Sequence, residues 1–365
     1  MTDLPKTMNA FVLEGHGDFD KLVFHENWPV PIIDENEVLI KVLACGLNNT
    51  DVNTRLGWYS KNVTGATTGG DYEEVGEDDA TWGGASITFP RIQGADVCGR
   101  IVAVGTNVDQ SMLGKRIITD NWLRDWSDPL NMDKTGYYGS EMNGGYAEYT
   151  KIDHRNIGVI ENDMSDEELA TFSCSYTTAE GMLDRANVGA DDVVLVTGAS
   201  GGVGGALIQL SKRRGATVVA LSSESKHAQV KEAGADYVLP RAPENLKATL
   251  EETISRKTVD VVADIVGGSY FYTLIETLSR GGRYASSGAI AGPIVEFDLR
   301  TFYLNDLTFY GSTVIPPKIF NNVVTYINNN EIKPIVAAAY PLKDFHTAQK
   351  TFIDKSHVGN IVVIP

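Results

Sequence analysis

The stretch Val194–Leu210 reads VLVTGASGGVGGALIQL. An apolar run of strand length stops at Thr197 or Gly198, and Ala199-Ser200-Gly201-Gly202-Val203-Gly204 turns it into a helix. Val203, Ala206, Leu207 and Leu210 then recur at helical spacing on one face. Glycines at such a turn let a backbone approach a pyrophosphate, whose charge rests on the free N–H groups of the helix start. A glycine pattern alone is a weak signal. Its position between a strand and a helix is the context that gives it weight. The flanking sequence supplies more: TVVALS (217–222), YVLP (237–240), VDVVADIV (259–266), RYASSG (283–288) and LTFYGST (307–313) read as further strands with helical stretches between most of them. Continuous apolar strands alternating with helices imply a doubly wound parallel sheet covered on both faces.

The remainder reads differently. Short strand signals, such as Ala10–Leu13 and EVLIKVLA (37–44), dominate the first part. Residues 60–90 read as a long inserted loop, with six glycines and six acidic residues between Asp71 and Asp79. The acidic cluster reads as a solvated face. A second unusual stretch, 120–146, carries Trp122, Trp126, Tyr137, Tyr138 and Tyr146. Ser165 and Glu168 form a capping box ahead of a single helix predicted to run to about Ala186. Helices are expected at 317–329 and near 342–354, before a terminal strand GNIVVIP.

The 365 residues suggest two domains. A net charge of −17 argues against nucleic acid or an anionic membrane surface as partner. Three cysteines, Cys45, Cys98 and Cys174, make no disulfide framework and point to a reducing, cytoplasmic setting. No Cys-x-x-Cys pair exists for a four-cysteine zinc site. The first residues contain no apolar run of the secretory kind.

The end of the second strand of the βα series sets cofactor choice. NAD sites place an acid there for the ribose hydroxyls. Here the residues are Ser222 and Ser223, followed by Lys226, a set suited to a 2′-phosphate. Arg213 or Arg214 could add charge from the preceding helix. Glu224 would supply an acid if the register shifted by two. The balance favours NADP(H).

Taken together, MNAFVLEGHGDFDKLVF (8–24), EVLIKVLACGLNNTD (37–51), GADVCGRIVAVG (94–105), GGYAEY (144–149), the Thr177-Thr178-Ala179 triplet, the glycine loop and HVGNIVVIP (357–365) resemble the medium-chain dehydrogenase/reductase superfamily, in its order and spacing. The resemblance implies an α/β protein: a GroES-like β domain, split into 1–160 and 315–365, around a Rossmann NADP-binding domain, 161–314. Where zinc members carry ligands, this chain has Asn48, Ala95 and Cys174, so no metal site is expected. A makeshift set of Cys174, Asp96 and Cys45 is the weaker reading. The chain therefore looks like the zinc-free quinone oxidoreductase branch. There, Asn48 and Tyr59 match residues lining the nicotinamide and substrate. Thr178 matches a threonine beside the ring, and Gly288 and Ala289 match backbone covering its far side. The cofactor would also contact Ala199, Ser200, Gly201, Gly202 and Val203.

Without a Lewis acid, hydrogen-bond donors must hold the developing oxyanion; a single donor can be worth roughly 3–4 kcal/mol. The candidates are the Asn48 amide, the Thr50 hydroxyl and the Tyr59 hydroxyl. A conjugated small-molecule substrate suits this activation: a quinone, an enone or an enoyl compound. The alternatives are a zinc-dependent alcohol dehydrogenase with atypical ligands and a non-catalytic NADPH-binding sensor or structural protein. The aromatic residues of the two long loops either pin those loops to the body or wall a flat apolar pocket. The edge strand LTFYGST suggests a homodimer.

Overall fold

The computed structural model describes residues 4–67 and 87–365. Trp82 and the acidic cluster 71–79 lie outside the described residues.

The amino-terminal half is β-rich. β1 (Thr7–Leu13) and β2 (Leu22–Pro29) form an antiparallel ribbon. β3 (Glu37–Gly46) leads into helix α1 (Asn49–Arg55). β4 (Asp96–Val104) and β5 (Arg116–Thr119) follow, then a second ribbon of β6 (Trp122–Arg124) and β7 (Thr135–Tyr137). β8 (Tyr149–Asp153) pairs with β3, and β9 (Ile157–Val159) with β5.

The sequence 165–186 forms two helices, α2 (Asp166–Leu169) and α3 (Ser175–Arg185), rather than the single one expected. The capping box is present: the Ser165 N–H donates to the Glu168 carboxylate, and the Glu168 N–H to the Ser165 hydroxyl. The break has a tertiary cause. The Cys174 N–H donates to Asp96 Oδ1 at 2.6 Å instead of to a carbonyl one turn back.

The parallel series then unfolds as read: β10 (Val193–Val196), α4 (Gly202–Arg213), β11 (Thr217–Ser222), α5 (His227–Glu232), β12 (Tyr237–Pro240), α6 (Leu246–Ile254), β13 (Val259–Asp264), α7 (Phe271–Glu276), β14 (Leu278–Ser286), α8 (Leu299–Leu304) and β15 (Thr308–Gly311). The strand order is β12-β11-β10-β13-β14-β15, and every pairing is parallel. This is the doubly wound Rossmann order, with its switch point between β10 and β13. Alternate strand residues explain the continuous apolar runs. Val194, Val196, Val218, Ala220, Val261 and Ala263 pack in the core that also holds α3 and α4. Val193, Leu195, Val219, Leu221 and Val262 pack in a second core with α6 and α7.

α9 (Pro317–Asn328) and then β16 (Val336–Pro341), α10 (Phe345–Asp354) and β17 (Asn360–Ile364) complete the chain. β17 pairs antiparallel with β3 and parallel with β16, so the tail rejoins the first β layer in a sheet ordered β16-β17-β3-β4-β5-β9. β16 went unread in the sequence because VAAAYP has little β-branched character and alternates between half-buried and exposed.

The glycine turn is close-packed. Gly198 sits at φ +58°, a region that favours glycine. A Cβ on Gly204 would lie 2.2 Å from the Gly198 oxygen and 2.6 Å from the Ala199 Cα, whereas one on Gly205 would meet nothing within 4 Å. Gly204→Ala should therefore destabilise by about 2–3 kcal/mol through overpacking, a fall in Tm of roughly 5 °C. Gly205→Ala should stabilise by about 0.5–1 kcal/mol as a helix-interior replacement. Thermal denaturation of the pair checks this; equal behaviour would refute the close-packing argument.

Candidate functional site

The site lies where β3 hands over to α1. Asn48 ends the strand's extended run, and its backbone N–H donates to Asp51 Oδ2 at 2.8 Å. The same carboxylate oxygen accepts from the Tyr146 hydroxyl at 2.7 Å. The Asn48 side-chain amide donates to Asp96 Oδ2 at 3.0 Å, while Asp96 Oδ1 takes the Cys174 N–H. Asp96 is thus a two-armed acceptor joining the starts of α1 and α3. Cys174 exchanges side-chain hydrogen bonds with Tyr137 and Thr178, and Asn121 donates to the Tyr137 hydroxyl at 3.2 Å. One network therefore holds Asn48, Asp51, Asp96, Cys174, Thr178 and Tyr137.

Tyr59 stands just past α1. Its hydroxyl accepts from the Asn53 amide at 3.3 Å and shares a side-chain hydrogen bond with Thr50. Burial pushes the phenol well above its ordinary range, while these two bonds favour the phenolate and oppose the rise. Thr50 and Asn53 are both buried on α1. Of the three expected oxyanion donors, Thr50 and Tyr59 are bonded to each other, and one amide hydrogen of Asn48 is committed to Asp96.

The aromatic residues of the loop 120–146 divide into two groups. The Tyr138 hydroxyl bonds Thr150, and Trp126 Nε1 donates to Asn156 at 3.0 Å, so both pin the loop. Phe89 packs edge-on against His16 at 4.9 Å. Trp122 and Tyr137 instead pack together with centroids 5.2 Å apart. A cleft of about 270 Å³, lined by Trp122, Met132, Thr135, Gly136, Thr313 and Val314, opens beside them.

Cofactor candidates gather at the carboxyl ends of the parallel strands. Ala199, Ser200 and Gly201 follow β10, and Gly202 and Val203 open α4. The first N–H groups of this twelve-residue helix have no carbonyl one turn back to receive them. Ser222 ends β11 with its hydroxyl buried and unpartnered among the described residues. Ser223 and Lys226 follow, and Glu224 is exposed. Gly288 and Ala289 follow β14. The Ser287 N–H donates to the Asp264 carbonyl, and the Ala291 N–H to that of Val266. That loop touches the first domain, where the Thr67 N–H donates to the Ile290 carbonyl at 3.0 Å. The turn whose backbone stays open and the orphan Ser222 hydroxyl fit a nucleotide. Arg213 and Arg214 do not belong to this set, contrary to expectation. Arg213 bonds Glu331 at 2.5 Å and lies over the Tyr326 ring, and Arg214 pairs with buried Glu180 at 2.8 Å.

Residues 34–162 match the family described as alcohol dehydrogenase GroES-like domain, and 202–329 match zinc-binding dehydrogenase. A solved structure from Sinorhizobium meliloti 1021, whose name provisionally assigns it to the alcohol dehydrogenases, superposes with a TM-score of 0.91. It is 44% identical and covers 100% of this chain and 98% of its own. The chain belongs to the medium-chain dehydrogenase/reductase superfamily. Its members are oxidoreductases that use nicotinamide cofactors. Among curated relatives, the NAD-dependent alcohol dehydrogenase of Sulfolobus acidocaldarius is 25% identical, over 93% of this chain and 95% of its own. The chloroplastic NADPH-dependent alkenal/one oxidoreductase of Arabidopsis thaliana is 26% identical, over 99% and 81%.

The zinc in one family description finds no matching donor set. Among the described residues, no three His, Cys, Asp or Glu side chains gather to hold a metal ion. Asp96 has both oxygens engaged, and Cys45 and Cys98 are buried.

Two carboxyls here resist ionisation. Burial pushes Asp96 up to about 7 and Asp51 up to about 6, against the hydrogen bonds that favour their charge. Such raised values give stability that is full below the unfolded-state pKa and lost as pH rises through the folded-state value. Stability should therefore fall between about pH 4 and pH 7. Asp96→Asn, which removes the proton while keeping the shape, should flatten that decline in denaturant titrations at stepped pH. An unchanged slope would assign it to other groups.

Proposed function

We propose that this protein is an NADPH-dependent oxidoreductase that reduces a conjugated carbonyl compound, of quinone, enone or enoyl type, without a metal ion. The observation that carries the reading is the Tyr59 hydroxyl. It is held by Thr50 and Asn53, next to a network that uses Asp96 for structure. The alkenal/one activity in the Arabidopsis relative's name supports the substrate class. NADPH, when bound, supplies a hydride to the carbon β to the carbonyl. Negative charge then develops on the carbonyl oxygen, and Tyr59 donates its proton to the resulting enolate. The hydrogen bonds from Asn53 and Thr50 hold the phenolate that remains. Burial keeps Tyr59 protonated until that step. Thr50 and Asn53 are positioning residues. The remaining Asn48 amide hydrogen supplies a second donor towards the oxyanion. Trp122, backed by Tyr137, forms one wall for a flat substrate. Ser222, Ser223 and Lys226 favour the 2′-phosphate form, with no acid ending β11 to repel it.

NADPH consumption across a quinone, enone and enoyl panel, using metal-analysed protein, tests this reading. Turnover with substoichiometric metal is the expected result. Tyr59→Phe should lower kcat by about 10²–10³-fold, the scale of one lost oxyanion donor, while leaving the NADPH Kd unchanged. Stoichiometric zinc with rapid oxidation of primary alcohols would overturn it, and NADPH binding with no turnover would indicate the non-catalytic alternative.

We further propose a homodimer formed through the edge strand β15. Next to that edge, α8 and the loop before it expose Ile294, Leu299, Tyr303 and Leu304, each more than half open to solvent. An apolar cluster beside an unpaired edge strand is what a two-fold sheet extension would cover. Light scattering should give about twice the 39.6 kDa chain mass. The double change Leu299→Glu and Tyr303→Glu should return the single-chain mass.

A further inference from the structure

The carboxyl-terminal turn carries a cation, Lys355, that the proposed reaction does not use. α10 ends at Asp354, and Lys355 caps it at φ +52°. That left-handed residue swings the chain back over the glycine loop. The Gly359 N–H then donates to the Ser200 carbonyl at 2.8 Å, and Gly201 and Gly359 form a bridge. Lys355 Nζ donates to Asn49 Oδ1 at 2.9 Å and lies 3.6 Å from the Phe352 ring centre. Lys226 Nζ caps the same turn, donating to the carbonyls of Lys355 at 2.6 Å and His357 at 2.8 Å. Two ammonium groups and an imidazole thus meet where the tail, the glycine loop, the end of β11 and the start of α1 converge.

The hydrogen-bond and ring partners of the two ammonium groups are neutral. Around Lys355 the facing groups are Lys226 from the β11 loop, His357 from the tail, Asn49 from α1 and Phe352 from α10. Arg241, beyond β12, adds its charge at Lys226. The His357 Nδ1 is buried with no hydrogen-bond partner among the described residues. Like charges gathered in a partly buried seam destabilise one another unless an anion joins them.

We propose that Lys355 is the counter-charge for the cofactor's pyrophosphate, and that binding of the dinucleotide draws a proton onto its side chain. This rests on the reading that a nicotinamide dinucleotide lies on the glycine loop. Two placements favour pyrophosphate over the 2′-phosphate. Lys355 reaches α1 beside Asn48, and its turn is tied to Ser200 at the approach to α4. Ser222, Ser223 and Arg241 lie instead around the ends of β11 and β12, and Lys226 reaches from there to the turn, where its Nζ is taken up by the Lys355 and His357 carbonyls. Burial, reinforced by Lys226, lowers Lys355 to about 7, so the free protein carries it partly neutral at physiological pH. An adjacent anion raises that value, so affinity falls as pH climbs above 7.

Calorimetric titration at pH 8, in buffers of different ionisation enthalpy, reads the proton directly. Uptake of about 0.8 proton is expected with both NADPH and NADH, and Kd should rise about tenfold from pH 7 to pH 8.5. Lys355→Arg stays charged throughout, so it should keep the affinity and lose the uptake. Lys355→Met should weaken both dinucleotides about tenfold and also lose the uptake. Uptake that persists in the Arg variant would place the proton on another group and overturn the proposal. Weakening of NADPH alone in the Met variant would assign Lys355 to the 2′-phosphate and overturn it as well. Dinucleotide binding without any proton uptake sinks this inference and spares the cofactor reading; failure of either dinucleotide to bind the unmodified protein sinks both.

Discussion

The two oxygens of Asp96 set the geometry of this molecule's centre. One receives the Asn48 amide and the other the Cys174 N–H, from positions 48 and 78 residues away. The first bond fixes how β3 turns into α1, and so where Thr50, Asn53 and Tyr59 face. The second interrupts what would be one helix from 165 to 186 and starts α3 at the point where Thr178 reaches the site. A buried carboxyl with no ion partner is a costly element, since burial alone drives it towards its neutral form. Its retention makes sense as the fastener between the β layer and the helix that leads into the parallel sheet.

A second fastener closes the molecule from the other end. The chain leaves the β layer, builds the whole parallel sheet, and returns to pair β17 with β3. On its way back it crosses the glycine loop at Gly359. A Cβ there would sit 2.3 Å from the Ile335 oxygen, and the residue adopts φ +88°. Only a residue without a side chain lets the tail lie that close to Ile335, just ahead of β16. The Gly359 N–H bond to the Ser200 carbonyl thereby ties the glycine loop to the terminal strand.

Much of this was legible in the sequence, and the reasons are specific. β10 to β15 announced themselves because strands buried on both faces are apolar throughout, and the glycine turn marked the first crossover. Asn48, Ala95 and Cys174 stood out through spacing within motifs whose order runs the length of the chain. What escaped reading was held by contacts with no periodic trace. The break at 170–174 depends on a carboxyl near residue 96. Arg213 and Arg214 sit at the right end of a helix to reach a phosphate, yet Glu331 and Glu180 claim them from elsewhere in the chain. Lys355 gave no signal at all, because its meaning depends on Asn49, 306 residues earlier.

The chemistry of the site follows from how these polar groups are shared out. A metal site needs side chains with free lone pairs converging on one point. Here each Asp96 oxygen already accepts an N–H donor, and Asn48 brings an amide hydrogen where a ligand would bring an electron pair. The arrangement therefore offers protons rather than lone pairs to whatever enters the cleft. Tyr59 is the sharpest case, because the Asn53 amide donates to its oxygen and Thr50 shares a second hydrogen bond with it. Substituting donors for ligands weakens activation of an isolated carbonyl, but it matches an acceptor that spreads its charge through conjugation.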